Sequence, residues 1–318
     1  MKRPPHMQTS TNMKIYSHNA RGLNTTHKRS KLLEDLKRAT ADLVCIQETH
    51  FVKLCIPKFG LNEYPIQFHA AHTSKARGVS LLIHKSLSFE LLKLITDSQG
   101  RFLIVLCMIN EVKYTIVNIY FPNTQQRNFL HKVLSKLEPI KTEYTMVCGD
   151  LNHILDHTLD TSLLTSQSHK QHLKPQCQAL TKLIMEFNLY DTWRALHPTD
   201  HQYSHYSQVH KTHSRIDHIL STRPLLRRAL HCEIGDIVWS DHAPNIMSIS
   251  TQFASRGYAP WRLNESLLRD DTFRNVIQTE FTEYLSTNNN KITSPIMIWQ
   301  AHKSVMRGLL LSRASFLK

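Results

Sequence analysis

No stretch of the chain approaches the roughly 18 consecutive apolar residues of a membrane-spanning helix, and the first twelve residues lack the apolar core of a signal peptide. Both absences predict an intracellular protein with no membrane partner. The six cysteines, Cys45, Cys55, Cys107, Cys148, Cys177 and Cys232, are scattered and include no Cys-x-x-Cys pair. A reducing compartment fits that usage, and Cys45, Cys107 and Cys148, set inside apolar runs, read as small buried hydrophobes. No internal repeat is evident. Negative charge is scarce, with 25 Asp and Glu against 39 Lys and Arg, a formal charge of +14 and a pI near 9.6. A field of that sign favours a polyanionic partner, nucleic acid first and an anionic membrane second, although charge alone also suits a merely basic soluble protein. What is present is a chain of 318 residues, 41% hydrophobic. It can build one large α/β domain with an appendage, or two modest domains, around a core that excludes global disorder.

Residues 1–12, with Pro4 and Pro5, read as a flexible N-terminal arm. Strand-like runs are predicted at 13–18, 42–48, 78–84, 101–108, 113–120, 144–148, around Tyr203, at 215–220, 232–239 and 245–251. Helical spacing appears at 28–40, 126–137 and 176–188, with a short helix at 224–230. A polar, His-rich connection covers 153–174. Residues 253–260, with Gly257 and Pro260, mark a boundary; Asn264 is placed to cap a helix carrying Leu267, Leu268, Val276, Ile277, Phe281, Tyr284 and Leu285, and a second helix follows at 296–316. The predicted organisation is therefore an arm, a domain over 13–252, and a linker with a helical C-terminal tail over 253–318. Strands and helices interleave while many strands run consecutively, which predicts an α/β fold of two β-rich layers flanked by helices. The tail's apolar stripe calls for a partner surface, on the main domain or on another part of a longer protein.

The informative pattern is where the polar residues fall. Asn19, Glu48, Tyr120, Asp150 with Asn152, Asp217, and Asp241 with His242 all stand at strand ends or within strands. Singly, each has an ordinary reading: a turn or cap for Asp and Asn, a satisfied imidazole for His, packing for Tyr. In an extended chain Asp150 and Asn152 would share one face and converge on one target. Together the set contains what phosphodiester hydrolysis requires. Hard oxygen donors such as Glu48, Asp150 and Asn19 suit Mg²⁺. Asp150 can orient or deprotonate water, and His242, its tautomer fixed and its pKa raised by Asp217, can stabilise the pentacoordinate phosphorus.

In order, Asn19-Ala-Arg-Gly-Leu-Asn, Ile46-Gln-Glu-Thr-His, Asn118-Ile-Tyr-x-Pro-Asn, Gly149-Asp-x-Asn, Arg215-Ile-Asp-His-Ile and Ser240-Asp-His form a series that resembles the endonuclease/exonuclease/phosphatase superfamily. More narrowly, residues 13–252 look like the apurinic-type endonuclease domain of LINE retrotransposon polyproteins, and Trp261 to Asn264 resembles the segment that joins that domain to a reverse transcriptase. The resemblance implies a four-layered α/β sandwich with its site at one rim. It implies Asn19 and Glu48 on the metal side, Tyr120 at the phosphate, Asp150 and Asn152 at the nucleophile, Asp217 paired with His242, and Asp241 supporting the metal or the imidazole. It implies Mg²⁺, with Mn²⁺ as a substitute, and double-stranded DNA nicked to leave a 3′-hydroxyl, hence a nuclear location or otherwise a cytoplasmic one. Ser204, Tyr206, Arg215 and Arg21 would face DNA, with the 206–214 loop lying against it.

The histidines His205, His210 and His213 read as a solvated polar loop, since no ligand set of zinc spacing surrounds them. Several residues depart from the pattern: Ser204 stands for Thr, Leu151 for Phe, Phe121 for a small residue, and His18 for an apolar one. None removes a catalytic group, but His18 and Leu151 are expected to loosen the site's support. The chain stops at Lys318 before any reverse transcriptase, so an element truncated there is expected, unable to retrotranspose by itself. A phosphatase of the same fold acting on a small phosphoester, or an inactive remnant that only binds nucleic acid, are the competing readings. Oligomeric state is not legible.

Overall fold

The computed structural model describes residues 12–162, 180–252, 270–288 and 295–316. Most of the N-terminal arm, the latter part of the 153–174 connection, the 253–260 boundary, Trp261 to Asn264, and Leu267 and Leu268 lie outside the described residues. The chain divides into two compact units, Met1–Gln252 and Phe253–Lys318.

The first unit contains two six-stranded sheets. One comprises β1 (Asn12–Asn19), β2 (Leu43–Gln47), β3 (Ile66–Ala70), β4 (Val79–Ile83), β13 (Ala229–Ile234) and β14 (Asn245–Ser250), ordered β13-β14-β1-β2-β4-β3. The other comprises β5 (Phe89–Thr96), β6 (Phe102–Ile109), β7 (Val112–Tyr120), β8 (Tyr144–Asp150), β9 (Leu189–Asp191) and β12 (Asp217–Thr222), ordered β5-β6-β7-β8-β12-β9. A two-stranded ribbon, β10 (His205–Ser207) and β11 (Thr212–Ser214), stands apart. Helices α1 (Thr26–Ala39) and α2 (Gln126–Leu137) are the long ones; α3 is helical over 180–186, and α4 (Thr192–Leu196) and α5 (Arg223–Leu226) are short.

Central strands are apolar throughout because both faces are covered. Alternate residues serve different layers: Ile15, Cys45 and Leu81 of one sheet meet Val105, Ile116 and Cys148 of the other in a shared inner core. The intervening Tyr16, Val44 and Leu82 pack under Leu32 and Leu36 of α1. On the opposite side Val117, Ile119 and Val147 lie under Leu130 and Leu134 of α2. The result is a helix, sheet, sheet, helix sandwich.

Strand direction then decides where the polar residues go. β1 and β2 are parallel, pairing Asn19 with Gln47, and β7 and β8 are parallel, pairing Tyr120 with Asp150. β12 runs antiparallel to β8, so its first residue, Asp217, stands opposite Asp150. β14 runs antiparallel to β1, which brings the residues just before it to the same edge. The sandwich is also pinned across its interior. Fully buried Asn118 on β7 donates from Nδ2 to the carbonyls of Ile46 (3.0 Å) and Ser80 (2.8 Å), and its Oδ1 accepts from Gln47 Nε2 (2.7 Å).

Gly149 is required by this geometry. Its φ is +147°, and a Cβ there would lie 1.9 Å from the Ile119 carbonyl oxygen on the neighbouring strand. Gly149→Ala must therefore push β8 from β7 beside Asp150. A destabilisation of about 3 kcal/mol is expected, read as a lower denaturation midpoint; a midpoint equal to wild type would show that the strands yield freely.

Four strands, β3, β5, β9 and β11, escape sequence detection: β3, β5 and β9 lie at sheet edges, and β9 and β11 are only three residues long. β5 carries Glu90 and Lys93 and leaves Leu91, Leu92 and Leu94 about two-fifths exposed. The predicted helix at 224–230 shrinks to α5, and β13 begins at Ala229 and ends at Ile234, short of Trp239. The 206–214 loop is a hairpin. Cys45, Cys107 and Cys148 are buried, as their apolar settings predict.

The second unit, by itself, is a helical pair, α6 (Asp271–Asn288) and α7 (Pro295–Phe316). Phe273 and Leu310 are its buried contacts, while Val276, Phe281, Trp299 and Val305 remain substantially exposed. No helix among the described residues is long and apolar enough to cross a membrane.

Candidate active site

Six strand ends converge on one seam. Asn19 is the hub: its Nδ2 donates to Glu48 Oε1 and to Asp150 Oδ2, both at 2.9 Å, and lies 3.5 Å from His242 Nε2. Its Oδ1 accepts from the Arg21 backbone at 3.0 Å. One carboxamide thus ties a carboxylate from each sheet. Asp150 Oδ1 accepts from the Asn152 backbone N–H at 2.7 Å, and Asp150 Oδ2 lies 4.0 Å from His242 Nε2. His242 Nδ1 donates to Asp217 Oδ2 at 2.8 Å.

Asp150, Asp217 and His242 are 1%, 2% and 6% exposed, so their charges interact strongly. Burial pushes the Asp150 carboxyl up, and the nearby Asp217 charge pushes it further, to about 7. Burial works against the charged form of His242, but the charge and hydrogen bond of Asp217, joined by the charges of Asp150 and Asp241, override it and hold the imidazolium up to about 10. Asp217 in turn is held low: burial opposes its ionisation, but the His242 charge together with the hydrogen bonds from His242 and Ser204 outweighs burial. Glu48 also overcomes burial and drops to about 2, through hydrogen bonds from His50, Asn19 and Tyr120. The Tyr120 phenol is pushed well up by burial and by the Glu48 and Asp150 charges, so it stays a donor, with the Arg101 guanidinium 5.4 Å from its ring.

The rim backbone is strained to make this arrangement. Arg21, Glu48, His50 and Asn152 have φ of 44°, 47°, 57° and 45°, a region that costs side-chain-bearing residues of order 1 kcal/mol each. Asn152 is therefore not in extended chain with Asp150, because β8 ends at Asp150. It is the Asn152 backbone that holds Asp150, while its carboxamide donates to the Phe121 carbonyl at 2.9 Å.

Two residues expected at DNA are elsewhere. Ser204 is fully buried; its hydroxyl donates to Asp217 Oδ2 at 2.7 Å and accepts from the Ile216 and Asp217 backbone. It props the acid that props His242. Arg215 is 1% exposed and locked by Nε and Nη2 onto both oxygens of Asp160 (2.9 Å each) and by Nη1 onto Asp191 (2.7 Å). A desolvated, saturated guanidinium has no donor to offer a phosphate. Arg21 and Tyr206 do lie toward solvent, Arg21 paired with Asp241 at 2.6 Å.

His18 does not loosen the site. It is buried, its Nε2 meets the His242 carbonyl at 3.1 Å and its Nδ1 meets the Tyr16 hydroxyl at 3.2 Å, edge-on to Trp239. Burial holds its pKa down to about 4, so the bridge is uncharged. Leu151 is also buried, in the same outer core as Phe121, so the ring gained at one position offsets the ring absent at the other. Sequence reasoning gave no site role to Asn118, His50, Arg101 or His205, although the first two stand inside the quoted motifs. Asn118 had a signal, an amide inside an apolar strand; Arg101 and His205 had none.

A sequence model of the Endonuclease/Exonuclease/phosphatase family matches residues 15–242. The chain belongs to that family. Among curated proteins it is 26% identical over 269 residues to the Xenopus laevis transposon TX1 uncharacterized 149 kDa protein, covering 82% of this chain and 20% of the relative. This chain thus spans about a fifth of that protein. Among solved structures it resembles the AP endonuclease LMAP of Leishmania major (TM-score 0.61, 17% identity, 76% of this chain and 89% of the other). It also resembles an AP endonuclease from Archaeoglobus fulgidus (0.59, 20%, 76% and 100%) and the APE2 catalytic domain of Xenopus laevis (0.57, 20%, 75% and 92%). At these identities the likeness shows the fold.

The donors present in this family member fit a hard divalent cation. Glu48 and Asp150 offer carboxylate oxygens that converge on one amide, and Glu48 stays ionised. The closely spaced trio Asp150, Asp217 and His242 is instead accounted for by the imidazolium hydrogen bond.

Proposed function

We propose that this chain is a metal-dependent endonuclease that hydrolyses one strand of double-stranded DNA and leaves a 3′-hydroxyl, and that it derives from a retroelement. The observation that carries the reading is the Asp150 carboxylate set 4.0 Å from the His242 imidazole across the seam, with Asn19 fixing the carboxylate and Asp217 fixing the imidazole. A base that ionises near neutrality beside an imidazole held protonated by Asp217 is suited to an anionic ester whose charge grows during attack. The +14 charge, the transposon relative and the AP endonuclease folds support DNA as the substrate, and with it a nuclear location.

Asp150 takes a proton from water, whose oxygen bonds to phosphorus as the P–O3′ bond breaks and the departing 3′-oxygen takes up a proton from solvent. Asn152 holds Asp150 Oδ1 in place through its backbone N–H. His242 donates from Nε2 to a non-bridging phosphate oxygen, and Tyr120 donates its phenol to another. Glu48 would hold Mg²⁺, or Mn²⁺ in its stead, with Asn19 orienting its carboxylate and Asp241 supporting from the rim. What a bound ion supplies there is neutralisation of the charge developing on phosphate and leaving oxygen. Arg21 and Tyr206 line the DNA side.

The test is purified protein with supercoiled plasmid, with and without Mg²⁺, beside an inositol phosphate. Nicked circles that require Mg²⁺ and fall by about 100-fold or more in His242→Ala are expected. Phosphate release without nicking would make the chain a phosphatase, and salt-sensitive DNA binding with neither activity would make it a binding remnant.

A further inference from the structure

The hairpin carries a side chain that neither the strand-end pattern nor the proposed hydrolysis uses. His205 opens β10, and its ring centroid lies 4.5 Å from that of His242. The two segments are laced by main-chain bonds, Ala243 N to Ser204 O at 2.7 Å and Tyr206 N to Asp241 O at 3.2 Å, with a β-bridge between His205 and His242. One ligand atom each from His205, Asp241 and His242 lie within 4.8 Å of one another. His210 and His213 take no part: His213 packs on Tyr203 and Tyr206, and His210 is exposed near the hairpin tip. The three hairpin histidines therefore make no zinc set among themselves, yet one of them joins the rim.

The geometry points to a second metal site, in which His205, Asp241 and His242 bind Zn²⁺ or a similar borderline-soft divalent ion and thereby shut the active site. Two imidazoles and a carboxylate are a three-ligand zinc set that leaves one position for water. His242 is already oriented for it: Nδ1 is engaged by Asp217, as in carboxylate, histidine and zinc triads, and Nε2 is the remaining nitrogen, from which the ion displaces a proton to solvent. Among the described residues no side chain hydrogen-bonds the His205 ring, so it gives up nothing to become a ligand. Asp241 must exchange Arg21 for the ion. That pair is 2.6 Å long, but the Arg21 side chain is 63% exposed, and such surface pairs contribute about 0–1 kcal/mol. Tetrahedral ligand atoms sit about 3.4 Å apart when metal bonds are about 2.1 Å, a spacing that atoms already within 4.8 Å of one another reach by small side-chain movements. An ion on Nε2 occupies the atom that the proposed hydrolysis aims at the phosphate. The inhibitory half of the inference thus rests on that reading, whereas the binding half does not.

The two halves separate experimentally. The full chain, stripped with chelator and returned to saturating Mg²⁺, is titrated with ZnCl₂ by calorimetry. His205→Phe, which keeps an aromatic ring against His242, is expected to bind Zn²⁺ about 100-fold more weakly, Asp241→Asn to weaken it too, and His210→Gln to match wild type. Co²⁺ in place of Zn²⁺ is expected to give a visible absorption band in wild type that His205→Phe lacks. In plasmid nicking, Zn²⁺ inhibits wild type at concentrations that leave His205→Phe active. Equal zinc affinity in wild type and His205→Phe, or loss in His210→Gln instead, overturns the site. Zinc binding without inhibition overturns the shut-off. If Mg²⁺ supports no nicking at all, the proposed function fails while calorimetry still decides the zinc site.

Discussion

Asp150→Asn lowers the nicking rate by about 10³-fold while the protein stays folded and becomes more heat-resistant at pH 8. The amide keeps the shape that Asn19 and the Asn152 backbone hold, at 2.9 and 2.7 Å, but cannot accept the water's proton. Burial and the Asp217 charge raise the Asp150 carboxyl to about 7. The wild-type rate should therefore climb tenfold per unit as pH rises toward that value and then level; the variant loses this limb. The stability sign follows from the same shift. Between the unfolded value near 4 and the folded value near 7, the folded state binds more protons than the unfolded chain, so stability falls as pH rises through that window. The variant escapes that loss, which is the usual opposition between an active site and the stability of its fold. Rates within tenfold of wild type and an unchanged pH limb would remove Asp150 from the role of base.

The largest stability effect belongs to Arg215. Arg215→Leu leaves Asp160, wholly buried, with only the Arg194 contact of 2.6 Å and its backbone bonds, and leaves Asp191 short of its strongest partner. Breaking one side of a buried pair costs about 3–5 kcal/mol. At roughly 2–4 °C per kcal/mol for a domain of this size, the melting temperature falls by roughly 10 °C. Lysine should rescue little, since it cannot span both oxygens of Asp160. The decisive readout is the KM for DNA measured below the melting transition: a residue buried under the ribbon leaves it unchanged. A stable variant with weakened DNA binding would return Arg215 to the DNA surface.

Arg215 shows where sequence stops being informative. Its motif neighbours Ile216 and Asp217 mark a strand entering the site, and that inference needs only local alternation. Whether the arginine points outward depends on Asp160 and Asp191, which are distant in the chain and reach it only after folding. Asn19, Glu48, Asp150 and His242 were legible because each ends or abuts a buried strand, and strand direction leaves them one rim to occupy. The two-sheet layering was legible from runs too apolar for a one-sided sheet. Edge strands β3 and β5 were not, since half-exposed strands mix charge into their pattern. His205 was hidden for the Arg215 reason, its partner lying 37 residues on, by the difference of the two numbers.

The Asn118 bridge has a mechanical consequence. Asn19, Glu48 and His242 ride on one sheet and its loops; Tyr120, Asp150 and Asp217 ride on the other. The catalytic distances are thus measured across a greasy interface, where apolar contacts resist separation but scarcely resist sliding. Asn118 acts as a dowel through that interface, holding one sheet in step with the other by three directional bonds. The alignment of the reactive atoms is set well below the rim, by an amide that never meets the substrate.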